Sequence, residues 1–285
     1  MTLPYGPPPD GATVVRQSII NKMQNCPASY GYRNTEGYLD ALGESLTVGD
    51  GLHWCAAMHT QGIDPQLIFE TFDEWCETKL TTDYDWSIAQ IPNYGELRQE
   101  ILDAYRLWVF QIYLPNIENT GSKQVETTLY MPLAEDIWLE GTPDLVINGD
   151  RIWDWKTAKS DRQWNQQKAD YALQSTLYLA LHNANTGEGL SKFTFAVYNR
   201  QKAEWSHLTT LRDRQQMDAA LLTAVEYGKQ IRAEAYPATP VVSEFMKRKR
   251  GWYCSARWCP AWNVCEHKFM NDKTDESEVA VRIWR

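Results

Sequence analysis

The 285-residue sequence has no long apolar run. Stretches such as Leu107 to Leu114 fall far short of the roughly 20 residues that span a bilayer, so a membrane protein is not expected. An excess of positive charge is also missing: 28 Lys and Arg stand against 37 Asp and Glu, a net charge of −9. That balance excludes a general nucleic-acid coat held by bulk cationic charge, and any such contact has to be local. Internal repeats and low-complexity blocks are lacking too. With 43% hydrophobic and 23% charged residues, the chain is neither disordered nor collagenous nor a disulfide miniature. The Pro-rich start, Met1 to Asp10, has no apolar core of the kind a signal peptide needs, so the expected address is the cytosol.

Residues 1–12 hold four prolines and two glycines and read as an extended arm. Val15, Ile19, Ile20 and Met23 then repeat at helical spacing up to Cys26-Pro27, where proline ends the pattern. Helices are expected at about 50–60, 64–78 and 95–115, the last with Leu97, Ile101, Tyr105, Trp108 and Ile112 on one face. From Lys123 the pattern changes to short strands at 124–131, 136–139, 143–147 and 151–155, with Asn148-Gly149 as a two-residue hairpin turn. A helix at 165–183, with Tyr171, Gln174, Leu177, Tyr178 and Leu181 on one face, precedes strands at 192–199 and 203–210 and a helix at 212–235. The expected fold is a single mixed α+β (α/β) domain over 1–285, a small central mixed β-sheet flanked by helices. Its parts are a helical stretch (13–120), an α/β core (121–235) and a cysteine-rich tail (244–270).

The segment Gly141-Thr-Pro-Asp144 to Asp154-Trp155-Lys156-Thr157 carries the chemistry. A hairpin at Asn148-Gly149 brings the Asp144 and Asp154 carboxylates to the same end of a ribbon, and two carboxylates at one point suit a hard cation such as magnesium or manganese. Asp154 and Lys156 are two apart on a strand, so they share a face, and the ammonium can sit beside a phosphate. Trp155 between them offers its backbone carbonyl. These are parts for metal-assisted phosphodiester hydrolysis. Alone, an Asp-x-Lys pair is an ordinary cross-strand ion pair, and Gln174 and Tyr178, four apart on a helix, are equally at home in a core.

The ordered set Gly141-x-x-Asp144, Asp154-x-Lys156 and Gln174-x-x-x-Tyr178 resembles the RecB-type branch of the PD-(D/E)XK nuclease superfamily, over nearly the whole chain. The resemblance implies a restriction-endonuclease-like core, with Asp144, Asp154, Lys156, Gln174 and Tyr178 as catalytic residues. It implies a divalent ion on His53, Asp144, Asp154 and the Trp155 carbonyl, since Gly49-Asp-Gly51-Leu-His53 matches the branch's Gly-preceded histidine. Many relatives have a glutamate where Glu126 stands, with a role that varies.

Six cysteines are present, three of them crowded into Cys254-x4-Cys259-Pro260-x4-Cys265. In a reducing compartment such clustering points to metal ligation, and three thiolates are one short of a closed tetrahedral site. In an iron-sulfur subgroup of the branch, found in AddB and in CRISPR-adaptation nucleases, one cysteine lies far upstream and three follow the core. That resemblance makes Cys26 the fourth ligand of a 4Fe-4S cluster with Cys254, Cys259 and Cys265. The spacing departs from the usual Cys-x2-Cys-x5-Cys, with Ala256 where a cysteine is expected, and zinc is the rival, with His267 nearby. Cys55 and Cys76 lie within helical patterns and are read as core.

Lys247-Arg248-Lys249-Arg250-Gly251-Trp252 couples cations to a stacking ring, which suits single-stranded DNA or a duplex end, though a solvated charged loop has the same composition. The expectation is a Mg²⁺- or Mn²⁺-dependent exonuclease acting on linear DNA ends, in recombination, repair or phage DNA processing inside a bacterial or phage-infected cell. No Gly-x4-Gly-Lys-Ser/Thr loop is present, so helicase activity has to come from a partner protein. Two alternatives stand beside it: a non-catalytic DNA-binding or assembly factor that keeps the fold, and an endonuclease of the same superfamily.

Overall fold

The computed structural model describes residues 4–36, 44–82 and 94–236, together with Cys259 and Cys265. In chain order the first elements are β1 (Thr13–Arg16), α1 (Gln17–Asn25), α2 (Pro27–Glu36), α3 (Glu44–Thr60), α4 (Pro65–Thr82) and α5 (Tyr94–Trp108). A π-turn (Val109–Tyr113) leads into α6 (Leu114–Asn116), β2 (Lys123–Val125), β3 (Leu129–Ala134), β4 (Ile137–Gly141), β5 (Leu145–Ile147) and β6 (Arg151–Ala158). The remainder is α7 (Gln166–Tyr171), α8 (Leu173–Thr186), β7 (Lys192–Asn199), β8 (Glu204–Leu211) and α9 (Arg214–Arg232). The mixed α/β class read from the sequence is the one observed. Among the described residues no helix is long and apolar enough to cross a membrane.

The chain divides into two compact units, the first drawn from residues 1–7, 42–131 and 140–221. Its centre is a five-stranded sheet of order β2-β5-β6-β7-β8, in which only the β6–β7 pair is parallel. A parallel pair needs a crossover, and α7 and α8 supply it. On one side of β6, Trp153 and Trp155 join α3, α4 and α5 in a core built on Leu52, Ile68, Phe72, Ile101, Tyr105 and Trp108. The face expected of α5 is fully inside: Leu97, Ile101, Tyr105, Trp108 and Ile112 are all buried. Cys55 and Cys76 are buried there too. The other side of the sheet packs Ile152, Phe193, Phe195 and Val197 against Leu179 and Ala169.

Three local differences from the sequence reading matter for the site. The β5–β6 connection holds three residues, because Ile147 pairs with Arg151. Asn148 and Gly149 do adopt left-handed φ values of 54° and 74°, as a tight turn requires, but Asp150 is added behind them. That extra residue shifts the register by one, and a one-residue shift decides which side chains share a face. Extended beyond Leu145↔Trp153, the observed register sets Asp144 opposite Asp154.

The single helix expected at 165–183 is broken at Ala172, whose φ −67° and ψ 117° are extended. Tyr171 consequently points to solvent, 82% exposed, and does not share the face of Gln174 and Tyr178. The break is held by Arg212, a buried cation that donates to the Ala169 and Ala172 carbonyls and to the hydroxyls of Ser175 and Thr176. The strand expected at 124–131 divides at Glu126, whose φ of 49° is unusual for a non-glycine residue.

The second unit comprises the described parts of residues 8–41, 132–139 and 222–285. Val15 falls in β1, not in a helix, within a three-stranded sheet of order β1-β4-β3, and the Thr13 N–H donates to the Asp136 carbonyl. Gly228 on α9 lets that helix lie close on Ile137, since a Cβ there would come within 2.5 Å of it.

Candidate active site

Helix α3 approaches β6 through Gly49, where a Cβ would meet the Thr157 hydroxyl at 3.2 Å. One turn later the same helix face presents His53. Its Nε2 donates to the Trp155 carbonyl at 2.9 Å and its Nδ1 faces Asp144 Oδ1 at 3.3 Å. With an acceptor at each nitrogen, the ring is arranged for the doubly protonated form. Burial pulls its pKa down, but the Asp144 charge and hydrogen bond outweigh that and hold it at about 9. Asp144 is the counterpart: burial pushes its carboxyl up, and His53, Lys156 and the Trp155 N–H hold it below the usual carboxylate value.

Asp154 is buried, and its two oxygens have different partners. Oδ1 accepts from Gln174 Nε2 at 2.7 Å, while Oδ2 is ion-paired with the Lys156 ammonium. Burial dominates here, and with the nearby Asp144 charge it raises Asp154 to about 6 in spite of Lys156. The Tyr178 hydroxyl lies close to Gln174 and to the Thr142 backbone. Burial, ahead of the neighbouring Asp154 charge, raises that phenol well above its ordinary value. The Tyr178 ring lies where a side chain on residue 141 would be, 2.8 Å from a built Cβ, so Gly141 admits it.

Glu126 completes the cluster. Its left-handed backbone donates its N–H to the Asp144 carbonyl at 3.1 Å and swings the carboxylate inward. Much of the side chain meets solvent, yet partial desolvation and the Asp144 charge push it to about 7. His53, Glu126 and Asp144 each offer a ligand atom within 4.8 Å of the others.

Of the expected donors, His53 and Asp144 converge, and Glu126 joins them. Asp154 is engaged by Lys156 and Gln174, and the Trp155 carbonyl already accepts from His53. Two carboxylates and one imidazole, with the Lys156-paired Asp154 near them, make a mainly oxygen donor set that fits a small divalent cation. The sequence reading missed Arg212 and Thr142; neither belongs to a motif, and only the packing of α7 and α8 reveals them.

Of the predicted cysteine set, the described members lie in the second unit. Cys26, Cys259 and Cys265 are all partly buried. Cys259 Sγ contacts Ser29 Oγ at 3.8 Å, so the downstream cysteine reaches the helix that starts directly after Cys26. Cys254 and the basic segment Lys247, Arg248, Lys249, Arg250 and Trp252 lie outside the described residues.

The family model described as the PD-(D/E)XK nuclease superfamily matches residues 17–266. No curated protein sequence matches significantly. Among solved structures, a candidate exonuclease from Eubacterium rectale superposes with a TM-score of 0.52 at 16% identity, covering 84% of this chain and 88% of that one, which is a likeness of fold. An alkaline exonuclease from Laribacter hongkongensis, 11% identical, covers 70% of this chain and 95% of its own at a TM-score of 0.29, too low to carry an argument. A family match over this much of the sequence, on a sheet that gathers His53, Asp144, Asp154 and Lys156, places the protein in the PD-(D/E)XK nuclease superfamily.

Proposed function

We propose that this chain is a divalent-metal-dependent deoxyribonuclease that hydrolyses phosphodiester bonds at DNA ends, a RecB-type exonuclease serving recombination, repair or phage DNA processing. The observation that carries the reading is the convergence of His53, Glu126 and Asp144 beside the Asp154–Lys156 pair. A magnesium or manganese ion held by those donors and Asp154 would supply an electrophile that neutralises charge on the phosphoryl oxygens and acidifies water. Lys156 contributes a fixed ammonium toward the phosphate. Gln174 fixes the orientation of Asp154 by donating to its Oδ1, which leaves Oδ2 to Lys156.

The test is release of nucleotides from end-labelled linear DNA with Mn²⁺. Loss on chelation and in Lys156→Ala is expected, with covalently closed circles left intact. Activity indifferent to chelator would overturn the reading, cutting of circles would convert it to an endonuclease, and DNA binding without hydrolysis would make the chain an assembly factor.

We also propose, on the cysteine order alone, that Cys26, Cys254, Cys259 and Cys265 hold a 4Fe-4S cluster. Anaerobically purified protein is then brown and contains iron; a colourless preparation with stoichiometric zinc would replace the cluster by that ion.

A further inference from the structure

Two lysines share one aromatic pair beside the site. Lys156 Nζ lies 5.9 Å from the centroid of the Phe195 ring, and Lys168 Nζ lies 4.8 Å from that of Trp164. The two rings are themselves in contact, with centroids 4.8 Å apart. Phe195 is fully buried, and Asn165 accepts from the Lys168 N–H at 2.9 Å, so both ends of the platform are anchored.

The charge balance of the two cations is unequal. Lys156 is paired with Asp154, whereas Lys168 has no carboxylate partner among the described residues. Burial and then repulsion from Lys156 lower the Lys168 pKa, so its charge is held at a cost that the Trp164 face offsets only in part. An anion placed between the cations removes that cost. The ligand class the site takes is a strand carrying phosphates in series, with Lys156 on one and Lys168 on the next.

Resting on the nuclease reading above, we propose that Lys168, supported by Trp164, holds the phosphate adjacent to the scissile one on the bound DNA strand. It is a positioning residue: it fixes where the strand lies and leaves bond cleavage to the Asp144–Lys156 cluster. Trp164 keeps the ammonium raised toward the strand, and the Asn165 cap fixes the first turn of α7 from which it projects.

The test reads binding as well as turnover. Fluorescent DNA is titrated by anisotropy in the presence of chelator, where no cleavage occurs. Lys168→Met is expected to weaken binding about tenfold and to reduce the salt dependence by about one counterion, with Lys168→Arg restoring both. In Mn²⁺, the same Lys168→Met variant raises KM about tenfold with kcat within about twofold. A single uncharged methylphosphonate moved along the strand should find one linkage, next to the cleaved one, where wild type loses about tenfold and Lys168→Met loses nothing more. Unchanged binding and salt slope in Lys168→Met, or methylphosphonate effects equal in both proteins at every linkage, would overturn the proposal. If wild type binds DNA but never cleaves it, the nuclease reading fails alone, because the anisotropy arms still decide the role of Lys168.

Discussion

The two faces of β6 are built from alternating residues of one eight-residue strand and have opposite characters. Trp153 and Trp155 enter an apolar core, where Trp155 meets Trp108 edge-on at 5.5 Å. Ile152, Asp154, Lys156 and Ala158 alternate with them, and there the apolar surface gives way to an ion pair at the pocket. Both faces are buried, but the first is satisfied by packing alone. The second contains a carboxylate whose charge the fold disfavours. Both sides contribute apolar packing, but only the second also carries a buried ion pair.

The sharpest separation is expected from Asp154→Asn. Removing the carboxylate should lower the hydrolysis rate at least about a thousandfold, the several kcal/mol that charge stabilisation by a metal ion contributes. Because Asp154 titrates at about 6 in the folded protein against 3.8 as reference, the metal-free protein loses stability as pH rises from about 4 through 6. The asparagine variant escapes that loss, so its thermal midpoint at pH 7, measured in chelator, should equal or exceed wild type. A clear drop would show that the charged pair holds the fold together and would erase the contrast between the faces.

Trp155→Ala probes the opposite face. A fully buried tryptophan truncated in a packed core costs about 3–5 kcal/mol, to be read from urea unfolding of the metal-free protein. A cost below about 1 kcal/mol would mean that this face is not where stability resides.

The smallest effect concerns protons. A cation bound by His53, Glu126 and Asp144 displaces the proton that His53 holds up to about 9 and the one Glu126 holds up to about 7. Mn²⁺ affinity, measured by calorimetry, should therefore rise by up to about a hundredfold per unit below pH 7, where both protons are displaced, and by up to about tenfold per unit from pH 7 to 9. In His53→Asn the rise should end near pH 7. An affinity independent of pH would remove His53 and Glu126 from the ligand set.

The motif residues were legible because each obeys a short-range spacing. Gly49 and His53 are one helical turn apart, Asp154 and Lys156 are alternate residues of a strand, and Gln174 and Tyr178 are again one turn apart. Long-range pairings were harder to read. Glu126 has no local pattern, and it reaches His53 and Asp144 only because its backbone turns left-handed. The break at Ala172 is invisible to periodicity, since Arg212, forty residues later, takes up the Ala169 and Ala172 carbonyls there.

The sequence by itself determined the helices α3, α4, α5 and α9, the apolar face of α5 and the identity of the charged strand, all of which follow from local periodicity and turn chemistry. Only the tertiary structure decided that Asp150 joins the turn and sets Asp144 opposite Asp154, and that Glu126 converges with His53 and Asp144 while Asp154 is held by Lys156 and Gln174. The reason is physical: register and burial are fixed by what packs from the other side of the sheet. A carboxylate's partners depend on the neighbours that compete for it, and no spacing along the chain encodes those.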